Sequence, residues 1–118
     1  MRISSPVMVN GIIQALSDEY SRKIILSATL KPKSVEDLSK ENDIPMSTCY
    51  RRVHELVAAG IMIIDKIIIT PEGKKFEIFR SAFRSIQINF EHGEFAVEAV
   101  PNEDIAERLA RMWLSMRA

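Results

Sequence analysis

The stretch PMSTCYRRVHELVAAG, residues 45–60, constrains the fold of this chain more than any other. Its apolar side chains recur at the spacing of one helix face, and polar side chains fill the rest of the surface. The pattern predicts a helix over residues 46–59 whose inward stripe is Cys49, Val53, Leu56 and Val57. Gly60 follows, where a left-handed C-terminal cap is expected. The outer face carries hydroxyls, a tyrosine and two adjacent arginines, and is either a recognition surface or a solvated face.

Two helices are expected before residue 31. The apolar segment Val7–Leu16 predicts a first helix, weakened by Gly11. Ser17 and Asp18 are N-cap candidates for a second helix over about residues 18–29.

A short third helix is expected next to the helix at 46–59. Ser34 begins it, and Asp37 completes a variant of the capping box. It stops near Asn42, and the turn NDIP follows, with Ile44 as an apolar plug. Two short helices joined by a tight turn predict a helix-turn-helix unit.

The middle of the chain predicts a β-hairpin and then a helix. Two isoleucine-rich runs flank Asp65–Lys66, which is the expected hairpin turn. Because this hairpin is apolar on both faces, we expect the C-terminal hairpin, the first helix or another subunit to cover its second face. Thr70, Pro71 and Glu72 have the order of a helix start, and the expected apolar face is Phe76, Phe79 and Phe83.

The last third of the chain alternates with a period of two, which predicts a second hairpin turning at His92–Gly93. A two-residue turn pairs Phe90 with Phe95, Ile88 with Val97 and Ile86 with Ala99. A final helix is expected from about residue 102 or 103 to 117, with the apolar stripe Ile105, Leu109, Met112, Trp113 and Met116. This stripe is either core or the seam of a homodimer, and we assign it to dimerisation.

These elements predict a mainly α fold with small β content (α+β), a winged helix-turn-helix with an added C-terminal β-hairpin and helix. We expect a DNA-binding domain over residues 1–84. Residues 85–118 are expected to be an extension that dimerises or caps the core.

Composition excludes several classes of function. The chain carries 16 basic and 16 acidic residues, so no global field draws it to nucleic acid or membrane. One cysteine, Cys49, forms no intramolecular disulfide, and no apolar run reaches a membrane span. We therefore expect a cytoplasmic protein. No phosphate loop, HExxH pattern or nucleophile with a base is present, so we expect no enzyme activity, no metal and no cofactor.

Three segments resemble the archaeal ArsR-like winged helix-turn-helix transcriptional regulators, and the resemblance covers about residues 10–84. An opening of the form ALSD…R..IL falls on Ala15 to Leu26. A recognition-helix pattern falls without gaps on Ile44 to Gly60, and an ITPEG segment falls on Ile69 to Gly73. The resemblance implies a transcriptional regulator that binds double-stranded DNA as a homodimer. The first helix of the motif, VEDLSKEN, lacks the cysteines of metal-sensing members, so metal sensing is not supported.

In that fold the helix at 46–59 would read the major groove, with Arg51 and Arg52 as energetic anchors because an arginine fork can bond guanine twice. Hydroxyls would position the helix on phosphates. The full set of expected DNA contacts is Ser47, Thr48, Tyr50, Arg51, Arg52, His54, Lys66 and Lys74. The expected wing is short and offers only Lys66 at its tip, so wing contact with the minor groove is not expected.

Two other functions fit the same residues. A winged-helix module can bind proteins rather than DNA, and the neutral charge favours that reading. A ligand-gated regulator would instead enclose a small molecule between Phe90, Phe95 and Trp113. Its effector is not evident in the sequence.

Overall fold

The computed structural model describes residues 1–102 and 113–114. Over residues 1–102 the elements are β1 (Arg2–Ile3), α1 (Pro6–Ser17), α2 (Glu19–Leu30), α3 (Val35–Asn42), α4 (Met46–Ala58), β2 (Met62–Ile69), β3 (Lys75–Ser81), β4 (Phe83–Glu91) and β5 (Glu94–Pro101). The predicted α+β winged helix-turn-helix with an added hairpin is confirmed. The predicted last helix lies outside the described residues except at Trp113 and Leu114, which are helical.

Helices α2 and α3 begin at the side-chain caps that the sequence predicts. Asp18 accepts a hydrogen bond from the backbone N–H of Ser21 at 2.9 Å. At α3 the N–H of Asp37 donates to Ser34 Oγ at 3.1 Å, and the N–H of Ser34 donates back to the Asp37 carboxylate at 3.4 Å. These caps satisfy N–H groups that have no partner inside their own helix.

The turn between α3 and α4 fixes the angle of the helix-turn-helix. Asp43 takes the left-handed conformation, with φ of 53°, and ends α3. Ser39 makes two hydrogen bonds with Ile44, the residue after Asp43. The Ser39 hydroxyl donates to Ile44 O at 2.6 Å, and the Ser39 carbonyl accepts from Ile44 N at 3.0 Å. Ile44 is buried, as predicted for the apolar plug.

The wing is longer than predicted, and the expected turn at Asp65–Lys66 is wrong. β2 runs through both residues and pairs with β3 from Met62↔Ser81 to Ile69↔Lys75. Asp65 is accommodated as a bulge between Ile64 and Lys66. The wing also joins the helices, because Lys33 and Phe79 exchange two backbone hydrogen bonds of 2.8 Å.

The helix expected after Thr70 is wrong as well. Residues 70–74 form the wing turn, in which the N–H of Gly73 donates to Thr70 O at 2.9 Å and the N–H of Lys74 donates to Thr70 Oγ1 at 3.0 Å. Thr70 therefore caps a turn rather than a helix. The chain then returns as β3, which includes Arg80.

The second hairpin has the predicted register. Phe90 pairs with Phe95, Ile88 with Val97 and Ile86 with Ala99. His92 and Gly93 both have positive φ, 53° and 77°, as a two-residue turn of this kind requires. The short strand β1, which was not predicted, pairs with β5 on its other side.

One hydrophobic core joins these parts. It includes Ile12 of α1, Ile24 of α2, Leu38 of α3, Val53 of α4 and Val97 of β5. Gly60 follows α4 with φ of 79°, as predicted for the left-handed cap. Within residues 1–102 and 113–114, no helix is long and apolar enough to cross a membrane.

Candidate DNA-binding site

Helix α4 is anchored by a buried stripe. Cys49 and Val53 are fully buried and Leu56 nearly so, while Val57 is partly exposed. Pro45 precedes the helix without a side-chain cap, and its carbonyl accepts the N–H of Cys49 at 2.9 Å. The stripe at positions 49, 53 and 56 points the opposite side of the helix outward.

The outward side carries most of the predicted DNA contacts. Thr48 is partly buried at one flank of the helix. Four predicted contact residues on this helix are exposed, namely Ser47, Tyr50, Arg51 and His54. The structure therefore brings these side chains together on the solvent side of one helix.

Arg52 is placed differently from its neighbour Arg51. Its side chain is only 26% exposed and lies against the start of α2, where Nε is 3.1 Å from Asp18 Oδ2. Its Nη1 is 3.4 Å from Glu55 Oε2. Arg52 thus makes ion pairs with two carboxylates.

Asp18 was predicted as a cap, but its second role was not. The N–H and the hydroxyl of Ser21 each donate to Asp18 Oδ2 at 2.9 Å. The backbone bond from Ser21 is the main reason that the pKa of Asp18 lies below its ordinary value, and Arg52 lowers it further despite the opposing effect of burial. The sequence gives no signal for a contact between positions 18 and 52, since it arises only when α2 packs on α4.

A groove of about 480 Å³ lies beside this ion pair. It is lined by polar side chains of α1, α2 and α4 and by the apolar residues Leu56 and Ala59. Gly11 lines it as well, and a Cβ there would lie 3.7 Å from the Cβ of Ala59.

A second groove of about 310 Å³ lies between α3, α4 and the wing. Tyr50 and His54 form a tilted ring pair there with centroids 4.3 Å apart, and His54 approaches Phe79 edge-on at 6.3 Å. Lys75 lines the same groove, near the start of α3 at Ser34. His54 therefore connects α4 to the wing.

The two lysines predicted to contact DNA from the wing lie at different places from those expected. Lys66, expected at the tip, lies inside strand β2, and Lys74 lies in the wing turn. Lys75 begins β3 directly after the turn. The wing end therefore offers two lysines, and the expectation of a tip with Lys66 alone is wrong.

The expected dimerisation residues Ile105, Leu109, Met112 and Met116 lie outside the described residues. Trp113 is described and is exposed. Phe90 and Phe95, expected with Trp113 around a ligand, form a tilted pair at 5.3 Å and are also exposed. Neither groove above is lined by these three aromatic residues.

Metal-binding groups and the one cysteine are the remaining chemical features of the described residues. Among residues 1–102 and 113–114, no group of three or more His, Cys, Asp or Glu side chains could hold a metal ion. Cys49 is buried, as predicted for a small apolar residue, and its burial raises the pKa of the thiol.

Residues 12–64 match the sequence profile of a family described as a helix-turn-helix domain. Among solved structures, the chain is similar to an ArsR family transcriptional regulator with 18% identity, covering 97% of this chain and 90% of that one, at a TM-score of 0.46. It is similar to NolR from Sinorhizobium fredii with 12% identity, covering 96% and 97%, at a TM-score of 0.45. A search of curated proteins gave no match. The matched segment begins in α1, spans α2 to α4 and enters β2, and with the β2–β3 wing it gives this chain a winged helix-turn-helix fold.

Proposed function

We propose that this protein is a sequence-specific DNA-binding transcriptional regulator that acts as a homodimer. The observation that carries the proposal is the outward face of α4, where Ser47, Tyr50, Arg51 and His54 are exposed together on a helix held by a buried stripe. A helix-turn-helix places such a face in the major groove. The match of residues 12–64 to a helix-turn-helix domain supports the same function.

Arg51 is the best candidate for reading a base. It is exposed, and it lies between Ser47 and Glu55 on the outward side of α4. An arginine fork that bonds the two acceptors of guanine contributes about 1–3 kcal/mol of discrimination against another base. The hydroxyls of Ser47 and Thr48 would contact phosphates near the start of the helix.

The wing would contact the DNA backbone beside the recognition helix. Lys74 and Lys75 lie at its turned end, and the His54–Phe79 contact fixes the wing relative to α4. Two copies related by a twofold axis would bind half-sites about 10 base pairs apart. The predicted stripe of Ile105, Leu109, Met112, Trp113 and Met116 remains our proposal for the dimer contact.

The experiment is recovery of sheared genomic DNA by the purified wild type and by Arg51→Ala. Arg2→Ala is the matched control, since it removes an exposed arginine from strand β1 instead of from α4. We expect the wild type and Arg2→Ala to enrich the same partly palindromic sites, and Arg51→Ala to lose them while remaining folded by circular dichroism. Enrichment that is equally poor for all three proteins would contradict the proposal.

One observation favours a second candidate, a winged-helix module that binds another protein. Several apolar side chains of the wing are exposed, namely Ile64, Ile67, Ile69 and Phe76. A protein partner could cover them. This function predicts that the wild type shows no salt-dependent affinity for any duplex, which the same protein preparation tests.

A further inference from the structure

The carboxylate of Asp18 is the main partner of the Arg52 guanidinium. Nε of Arg52 donates to Oδ2 at 3.1 Å, and Nη2 donates to Oδ1 at 3.4 Å, so both oxygens are engaged. Asp18 is itself held by the N–H and hydroxyl of Ser21. A carboxylate fixed in this way orients the arginine fork with little freedom.

Arg52 is also neutralised by a second carboxylate. Nη1 lies 3.4 Å from Glu55 Oε2, one turn further along α4. Two negative charges and one positive charge therefore meet at this point. Arg51, the next residue in the sequence, is exposed on the outward side. The two adjacent arginines differ in their electrostatic surroundings, although the sequence presents them as equivalent.

We propose that Asp18 is a positioning residue that holds Arg52 away from DNA phosphates, so that only Arg51 of the two arginines contacts DNA. This inference rests on the proposed function. The same contact fastens the start of α2 to the flank of α4, so it also fixes the orientation of the recognition helix relative to the junction of α1 and α2.

Such a restraint acts on the general affinity for DNA and not on the discrimination between sequences. An arginine that reaches a phosphate strengthens binding to every sequence alike, because the phosphate backbone is the same everywhere. Binding to a particular site improves relative to other DNA only through contacts with bases or shape. Withholding Arg52 lowers the general affinity and leaves the discrimination by Arg51 unchanged.

The test compares the salt dependence of DNA binding in the wild type and Asp18→Ser. Serine is a good helix cap, so the substitution keeps the start of α2. It removes the Asp18 carboxylate, which is the main partner of Arg52. We expect the slope of log affinity against log salt to steepen by about 0.9, the value for one added phosphate contact. This corresponds to about a threefold larger loss of affinity between about 50 and 200 mM salt. The ratio of specific to non-specific affinity should stay unchanged, because a phosphate contact strengthens both alike.

Two controls separate this mechanism from a change in charge alone. Glu19→Gln removes one negative charge from the neighbouring position, where the carboxylate pairs with Lys23 at 3.4 Å. Its slope should equal that of the wild type. Asp18→Ser combined with Arg52→Gln should return the slope to the wild-type value, because no released arginine is left to bind a phosphate.

The outcomes distinguish the inference from the function on which it rests. If the wild type binds no duplex at any salt concentration, the proposed function fails. If the wild type binds and Asp18→Ser has the slope of Glu19→Gln, the inference is wrong. Arg52→Gln alone gives a further test that does not depend on the stability of the Asp18 variant. A slope flattened by about 0.9 in that variant would put Arg52 on a phosphate in the wild type and overturn the inference.

Discussion

Nε of Arg80 lies 3.3 Å from Oδ1 of Asp65, and their side chains are only 13% and 12% exposed. Asp65 is the extra residue of the wing bulge, and Arg80 on the partner strand is in register with Ile63, two residues before it. A bulge leaves one residue out of the ladder. Here an ion pair between the strands fills that position, so the irregularity of the wing is stabilised by charge.

Replacing Arg80 with Met should destabilise the protein strongly. The substitution keeps much of the side-chain volume but leaves the Asp65 carboxylate shielded from water without this partner. A broken buried ion pair costs on the order of 3 kcal/mol. The measurement is urea unfolding followed by circular dichroism. The double variant Asp65→Ser/Arg80→Met should recover part of the loss, and a cost under about 0.5 kcal/mol would show that the pair behaves like one at the surface.

Phe79 and Phe76 should differ sharply in their contribution to stability. Phe79 is 2% exposed and Phe76 is 41% exposed, although a helix over this segment would have placed both on one buried face. Phe79→Ala should cost about 3–5 kcal/mol in the free energy of unfolding because it leaves a cavity. Phe76→Ala, the matched control, should cost far less. Equal losses would favour the helical arrangement.

Acidification should remove the stabilising contribution of Asp18. Its pKa is lowered in the folded protein, chiefly by the backbone bond from Ser21, so the folded state favours the ionised form. The contribution is fully present above the ordinary aspartate value of about 3.9 and is lost as the pH falls through the lower folded value. Urea unfolding of the wild type and Asp18→Asn at several pH values tests this. The difference between them should shrink below about pH 4, and a difference that grows there would contradict it.

Cys49 should react slowly with a thiol reagent in the native protein. Its side chain is buried in the stripe of α4, and burial raises its pKa, so little thiolate is present at neutral pH. Addition of a disulfide reagent should show slow modification under native conditions and fast modification in denaturant. Fast native modification would mean that α4 opens readily or that the thiol is accessible.

The helices and caps could be predicted from the sequence because their signals are local. Asp18, Ser34 with Asp37, and Gly60 each act within one turn of their own helix. The second hairpin was also predictable, since its two-residue turn and its alternation specify the same register.

The wing was predicted wrongly because one local signal fits two structures. Thr70, Pro71 and Glu72 suit both a helix start and a tight turn. Hydrogen bonds between residues far apart in the sequence determine which structure forms. β3 supplies backbone partners for the long strand β2, and Phe79 bonds to Lys33. The candidate site likewise combines features set by local sequence with features set by long-range contacts. The exposure of Arg51 follows from the periodicity of α4, whereas the restraint of Arg52 depends on a residue 34 positions away.

The bulge at Asp65 also determines where this wing tolerates a change of length. Side chains alternate between the two faces of a strand, so deleting a residue elsewhere in β2 would exchange the faces of all that follow. Deleting residue 65 would restore a regular ladder and leave the neighbours on their present sides. When this chain is aligned with a relative whose wing strand is one residue shorter, we expect the gap to fall at Asp65. That relative should also lack an arginine at the position of Arg80, because the arginine would have no carboxylate at position 65 to pair with.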